Sequence, residues 1–261
     1  MITKELYDQW YAEFYEAKDF FKPDEKPDGE DFDSLYDRVY FADVLMRIAN
    51  ADGLVAVRQN DEYREHMEKS RRILDSVIAE FTTPGYALGA EDQELVLKTY
   101  LLKGRNLLEF PQDGQLATDF FEFAYKNIDR NPDRPELERY DAHVYFFRFL
   151  ARIMSGEVLE VISHVHRTLN NQVIFEADPF EISLSNMLLA EGVLKAANLE
   201  KIEDELAEQL AQSFVVQAYH YLEKSGKYSH AGIDIDFYDL EMEPYRWRAG
   251  LYDSLFPWDE L

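Results

Sequence analysis

The chain has no cysteine, so metal or nucleophile chemistry would have to come from its six histidines, its 52 carboxylates and its hydroxyls. Disulfides, thiolate metal sites, iron–sulfur clusters and cysteine nucleophiles are thereby excluded. His164-Val165-His166 is the first candidate metal pair. On a helix, residues two apart point to different faces, so the two imidazoles cannot chelate together. Glu160 with His164, and Glu62 with His66, have the better four-residue spacing. Neither pair reproduces the Glu-x-x-His arrangement that di-iron bundles build from several helices, and these histidines read as surface or helix-end residues. Asp234, Asp236, Asp239 and Glu241 form an acidic cluster of the kind that holds a hard cation, but without the glycine and terminal glutamate of a calcium loop. With Ile233, Ile235, Phe237 and Tyr238 interleaved, that cluster reads instead as an acidic, aromatic arm for a basic partner. No serine sits in a Gly-x-Ser-x-Gly elbow, no Gly-x-x-Gly pattern offers a phosphate cradle, and no carboxylate pair is singled out for acid–base work. The expectation is a binding protein rather than an enzyme, with no cofactor.

Fifty-two acidic against 27 basic residues give a formal charge of −25. Such a surface repels nucleic acid and anionic lipid, because contact with either needs cationic side chains. It favours solubility and fast association with a basic protein. General acidity and adaptation to high salt produce the same composition, so the charge alone does not choose among them. No apolar run approaches membrane-spanning length, and the first residues, MITKELYDQWYAEF, lack a basic region followed by an apolar one. A cytoplasmic location is the resulting expectation.

Something must position these side chains, and the pattern points to helices. Apolar residues make up 46% of the sequence and aromatic residues 15%, whereas 11 glycines and nine prolines are too few for the turns of an all-β fold. Leu6, Trp10, Phe14, Ala17 and Phe21 recur at helical spacing over 3–21, followed by a charged loop at 22–31. Further helices are expected at 32–57, with Leu35, Val39, Ala42, Leu45, Met46 and Ala49 inward, and at 61–81, capped by Asn60. Two more flank the Phe110–Gly114 turn, between about 91 and 130. The next two span 135–154 and 157–170. Residues 171–178 read as a loop ending in Asp178-Pro179, where Asp178 is placed to accept from the N3 amide of a helix over 179–197. A helix over 199–224, a short extended arm at 233–238, a short helix at 244–251 and a Phe256-Pro257-Trp258 anchor complete the chain. The expected architecture is all-α: nine or ten helices in antiparallel hairpins, as a bundle or irregular α-solenoid, ending in a short extended or irregular tail. Residues 1–261 read as a single domain, with possible subdivision into 1–90, 91–226 and 227–261.

The hairpin at 95–132 resembles a tetratricopeptide repeat unit. Tyr100 and Gly104 stand four apart, Ala117, Phe121 and Ala124 follow the A-x3-F-x2-A spacing of its second helix, and Asn131-Pro132 is similar to its terminal proline. The two helices are one residue further apart than in that repeat, and Pro132 falls three residues late. In size, helicity, acidity and lack of a catalytic motif, the whole chain resembles the all-α immunity proteins that bacteria pair with polymorphic or secretion-delivered toxins. That resemblance implies a cognate toxin, often a cationic nuclease, encoded alongside.

These readings give three functional expectations. The first is an acidic module that neutralises a basic partner, with Asp234, Asp236, Asp239, Glu241, Phe237 and Tyr238 on the binding surface, and with neither nucleic acid nor membrane as partner. The second is a tetratricopeptide-like adaptor that binds a peptide in a concave groove. The third is an acidic mimic of nucleic acid, with charge spread along a rod.

Overall fold

A computed structural model describes residues 34–53, 61–86, 89, 92–110, 113–129, 137, 140–226, 244 and 247. The expected helices at 3–21 and most of 244–251, the loop at 22–31, Asn60 and the 256–258 anchor lie outside the described residues.

Eight helices and no strand occur among the described residues. They are α1 (Leu35–Gly53), α2 (Asp61–Phe81), α3 (Asp92–Leu108), α4 (Gly114–Asp129), α5 (Asp141–Met154), α6 (Val158–Ile174), α7 (Pro179–Asn198) and α8 (Asp204–Ser225). Residues 144–149, whose apolar run also suits a strand, are helical within α5. Local chemistry starts and stops these elements. Ser34 caps α1, its Oγ accepting from the Asp37 amide at 3.1 Å and donating to the Asp37 carboxylate at 2.6 Å. Asp178 caps α7, but it accepts from Phe180 N at 2.8 Å, one residue before the expected N3 amide.

Each helix packs on its chain neighbours, and α1 on α3, α3 on α5 and α5 on α7 as well. The odd-numbered helices therefore form one layer and the even-numbered helices flank it. Short connections make chain neighbours antiparallel. Pattern and burial agree on this division. Along α7 the residues from Ile182 to Ala190 are all buried, whereas α6 buries only Val158, Val161 and Val165. Val144, Phe146, Phe147 and Leu150 of α5 are fully enclosed, as their near-continuous apolar run predicts. A connected buried cluster extends from Val39 through this layer to Trp247, which is 0% exposed with its ring 5.3 Å from Phe146.

The α3–α4 hairpin is built on close approach. A Cβ placed on Gly104 would stand 2.6 Å from the Phe121 ring, which in turn stacks on Phe147 at 5.6 Å. Ala117 and Ala124 on either side of Phe121 are fully buried. Small residues here let two helix backbones approach, as ridges-into-grooves packing requires. One expectation changes. The helical spacing of 92–108 reads as amphipathic, yet Lys98, Lys103 and Arg105 are buried with its leucines. Neighbours on every side enclose α3, so its cations meet carboxylates: Lys98 with Glu94 at 3.3 Å, Lys103 with Asp75 at 2.6 Å, Arg105 with Asp43 at 3.5 Å. Tyr140 also donates to Glu94 at 2.5 Å, tying the start of α5 to α3.

Candidate protein-binding surface

The histidine pair falls on α6, and its environment is structural. His164 stacks on Phe149 of α5, with ring centroids 4.8 Å apart and 22° between planes. Glu160, its expected partner, accepts instead from Arg152 at 3.0 Å, and Glu157 accepts from the same guanidinium at 2.7 Å. Arg148 pairs with Glu122 of α4 and lies 4.4 Å over the Tyr125 ring. This ladder of arginines and rings clamps α4, α5 and α6 together. His166 is exposed and meets only Asn170 at 3.4 Å within it. Among the described residues no group of three or more His, Asp or Glu gathers as a metal site would. The Glu62 side chain, and all of Asp234, Asp236, Phe237, Tyr238, Asp239 and Glu241, lie outside the described residues.

The ladder makes His164 a poor proton acceptor. Desolvation against its neighbours lowers its pKa first, then the positive fields of Arg167, Arg152 and Arg148, with Glu160 opposing. A group held low in the fold takes up its proton more readily once unfolded. Its contribution to stability is complete above the unfolded value of about 6.5 and is lost as pH falls below it. His164→Gln should therefore lose less melting temperature than the parent between about pH 7.5 and pH 5. Parallel losses in thermal melts would show that His164 does not titrate against the fold.

The exposed apolar side chains sort by what they touch. Phe123 is 43% exposed but stacks on Tyr100 at 4.0 Å, and Tyr125 lies under Arg148. Leu116, Leu159 and Val216 are single exposed residues, which need no explanation. Two groups are left, one at each end of α7. At the α6–α7 corner Val173, Ile174 and Phe175 are 50%, 70% and 78% exposed. They are consecutive, so they point in different directions and form no single face. At the α7–α8 corner Leu199, Leu206 and Leu210 are 41%, 47% and 37% exposed.

Both corners end a helix in the same way. Glu176 N donates to Val173 O at 3.4 Å and Ala177 N to Gln172 O at 2.9 Å; Glu200 N donates to Ala197 O at 2.7 Å and Lys201 N to Ala196 O at 2.9 Å. This pair of bonds calls for a left-handed residue after the cap, normally glycine. Gly156 takes that place after α5, with φ of 101°. After α6 and α7 the residue is glutamate, with φ of 51° at Glu176 and 55° at Glu200. Each corner thus holds a carboxylate beside an exposed apolar residue at some backbone cost.

The α7–α8 corner carries the denser charge. Glu200, Glu203, Asp204, Glu205 and Glu208 are all exposed, and none forms an ion pair among the described residues. By contrast Glu80, Asp113, Glu122, Glu157 and Glu160 are each held by an arginine. Asp204 and Glu205 suit the positive end of the α8 dipole, which accounts for two of the five. Helix geometry places Leu206 and Leu210 on one face, with half-buried Phe214 and Tyr221 further along it. Ala207, Ala211, Val215, Ala218 and Leu222 occupy the adjacent, buried face. Those small residues seat α8 closely on α7, where Ser183 Oγ donates to Ala218 O at 2.5 Å.

At the spacing of the expected helix over 199–224, Leu206 and Leu210 continue the buried stripe of Val215, Ala218 and Leu222; the structure leaves both exposed, while Phe214 packs against the core. The available signal was the excess of apolar positions over what one buried stripe accommodates. No described helix is long and apolar enough to cross a membrane. Compared with known proteins, the chain matches no family model, no curated protein and no solved structure.

Proposed function

We propose that this protein binds and neutralises a basic protein partner, in the manner of the all-α immunity proteins that bacteria pair with secreted toxins. The observation that supports this reading best is the α7–α8 corner, which carries five exposed carboxylates with no ion pair among the described residues and three exposed leucines. Unpaired surface charge speeds encounter with an oppositely charged protein, and apolar side chains that become desolvated supply the affinity. The formal charge of −25 extends the attraction over the whole molecule.

The layering of odd- and even-numbered helices is equally the arrangement of a helical-repeat adaptor. Such an adaptor would bind peptide along its first-helix layer. Here that layer is enclosed, with Trp247 seated on Phe146, so the accessible surfaces are the corners and the flanking helices.

The test is co-expression with the product of the adjacent gene, followed by co-purification over a salt series. A stable complex with a basic neighbour, weakening steeply between about 0.05 and 0.5 M salt, is the expected result. A neighbour that is neither basic nor toxic, with no salt-sensitive complex, overturns the immunity reading.

A further inference from the structure

We infer that the outer face of α8, from Leu206 to Tyr221, is a docking surface for an amphipathic helix with basic flanks on the partner. This rests on the proposed function and names the surface and the geometry of contact. The buried row Ala207, Ala211, Val215, Ala218 and Leu222 already satisfies the packing of α8 on α7. Leu206 and Leu210 are therefore surplus to it, and they begin a second row at i, i+4, i+8 and i+15 that continues through Phe214, which also packs against the core, and Tyr221, with exposed Gln217 between those two rings. Rows of this kind are how one helix lies against another. The row runs from exposed leucines at the start of α8 to half-buried rings beyond its middle.

Charge chooses the occupant. Glu200, Glu203, Asp204, Glu205 and Glu208 lie in the connection before α8 and its first turns, where the row begins at Leu206, while Lys224 lies 5.6 Å over the Tyr221 ring at the other end. A basic helix meets complementary charge at the first end. Lysines and arginines are most stable in the last turns of a helix, so a partner with its cations there lies antiparallel to α8. A second copy of this chain brings another 25 negative charges instead. The Val173–Phe175 corner offers no continuous row, and the buried cations of α3 are taken up by Glu94, Asp75 and Asp43.

The test uses the full chain and a fluorescent amphipathic helical peptide of leucine and lysine, with a leucine–glutamate peptide of the same pattern as control. Leu206→Ser with Leu210→Ser removes exposed side chains only and leaves the buried row untouched. Leu116→Ser with Leu159→Ser makes an equal change at isolated exposed leucines. The expected result is salt-sensitive binding of the lysine peptide alone, weakened at least tenfold by the α8 pair and unchanged by the control pair. Equal weakening by both pairs, or by neither, overturns the docking surface. So does sedimentation showing that the parent is a dimer which the α8 pair dissociates. A basic partner that co-purifies undiminished with the α8 variant sinks this inference and leaves the proposed function standing. Absence of any basic partner, with the peptide result intact, does the reverse.

Discussion

Replacing Asp43 by alanine is expected to destabilise the fold by about 3–5 kcal/mol. Asp43 on α1 is 0% exposed, and Arg105 on α3, 3.5 Å away, has a side chain 1% exposed. Removing the carboxylate leaves a guanidinium that cannot deprotonate and has no route to water. The loss measured reflects the desolvation of a buried guanidinium deprived of this carboxylate, rather than the worth of the pair alone. Arg105→Met should cost a similar amount for the mirror-image reason, because it takes the facing cation from a buried carboxylate. The double variant, Asp43→Ala with Arg105→Met, should recover more than half of the sum, since an apolar pair of suitable volume meets no such penalty. Urea unfolding of the four proteins measures the cycle. Single variants within about 1 kcal/mol of the parent would mean that the pair is reached by solvent, against its burial.

How much of this was legible depends on how local the cause is. The α3–α4 hairpin is written in neighbouring residues: Leu97, Leu101, Gly104 and Leu108 share one face, Ala117, Phe121 and Ala124 the other, and the structure packs them so. The Asp43–Arg105 pair is not local. A cation within a helical pattern reads as solvent-facing, and only the arrangement of α1, α2, α4 and α5 around α3 reveals that it is enclosed. Two helix boundaries differ from the sequence pattern for a similar reason. The loop expected at 171–178 begins at Asn171, a residue type that competes with helical backbone bonds, yet α6 continues to Ile174, with Phe175 N donating to Asn171 O at 2.9 Å. Leu199 reads as the first residue of α8, whereas it caps α7 and α8 begins at Asp204. In both cases a glutamate occupies a left-handed position that sequence rules reserve for glycine or asparagine. The binding residues expected at 234–241 lie outside the described residues. The surface argued from structure is the one at the α7–α8 corner.

The strongest test of the packing is a change of sign. Phe121 is 0% exposed, lies against Gly104 and stacks on Phe147, so Phe121→Ala should cost about 3–5 kcal/mol through lost burial and the cavity left behind. Gly104→Ala alone drives a methyl to within 2.6 Å of the Phe121 ring. Overpacking of this kind costs about 1–3 kcal/mol, and the better helix propensity of alanine returns about 1 kcal/mol. The net effect expected is a loss of about 1 kcal/mol, with the ring unable to retreat because Phe147 stands behind it. In the Phe121→Ala background the obstacle is gone. There the same Gly104→Ala change should stabilise by about 1 kcal/mol, from propensity and from partial filling of the cavity. Opposite signs in the two backgrounds, measured by chemical unfolding, locate the constraint in the contact between these two residues. Equal effects in both would mean that Gly104 is needed for its backbone and not for the ring it admits.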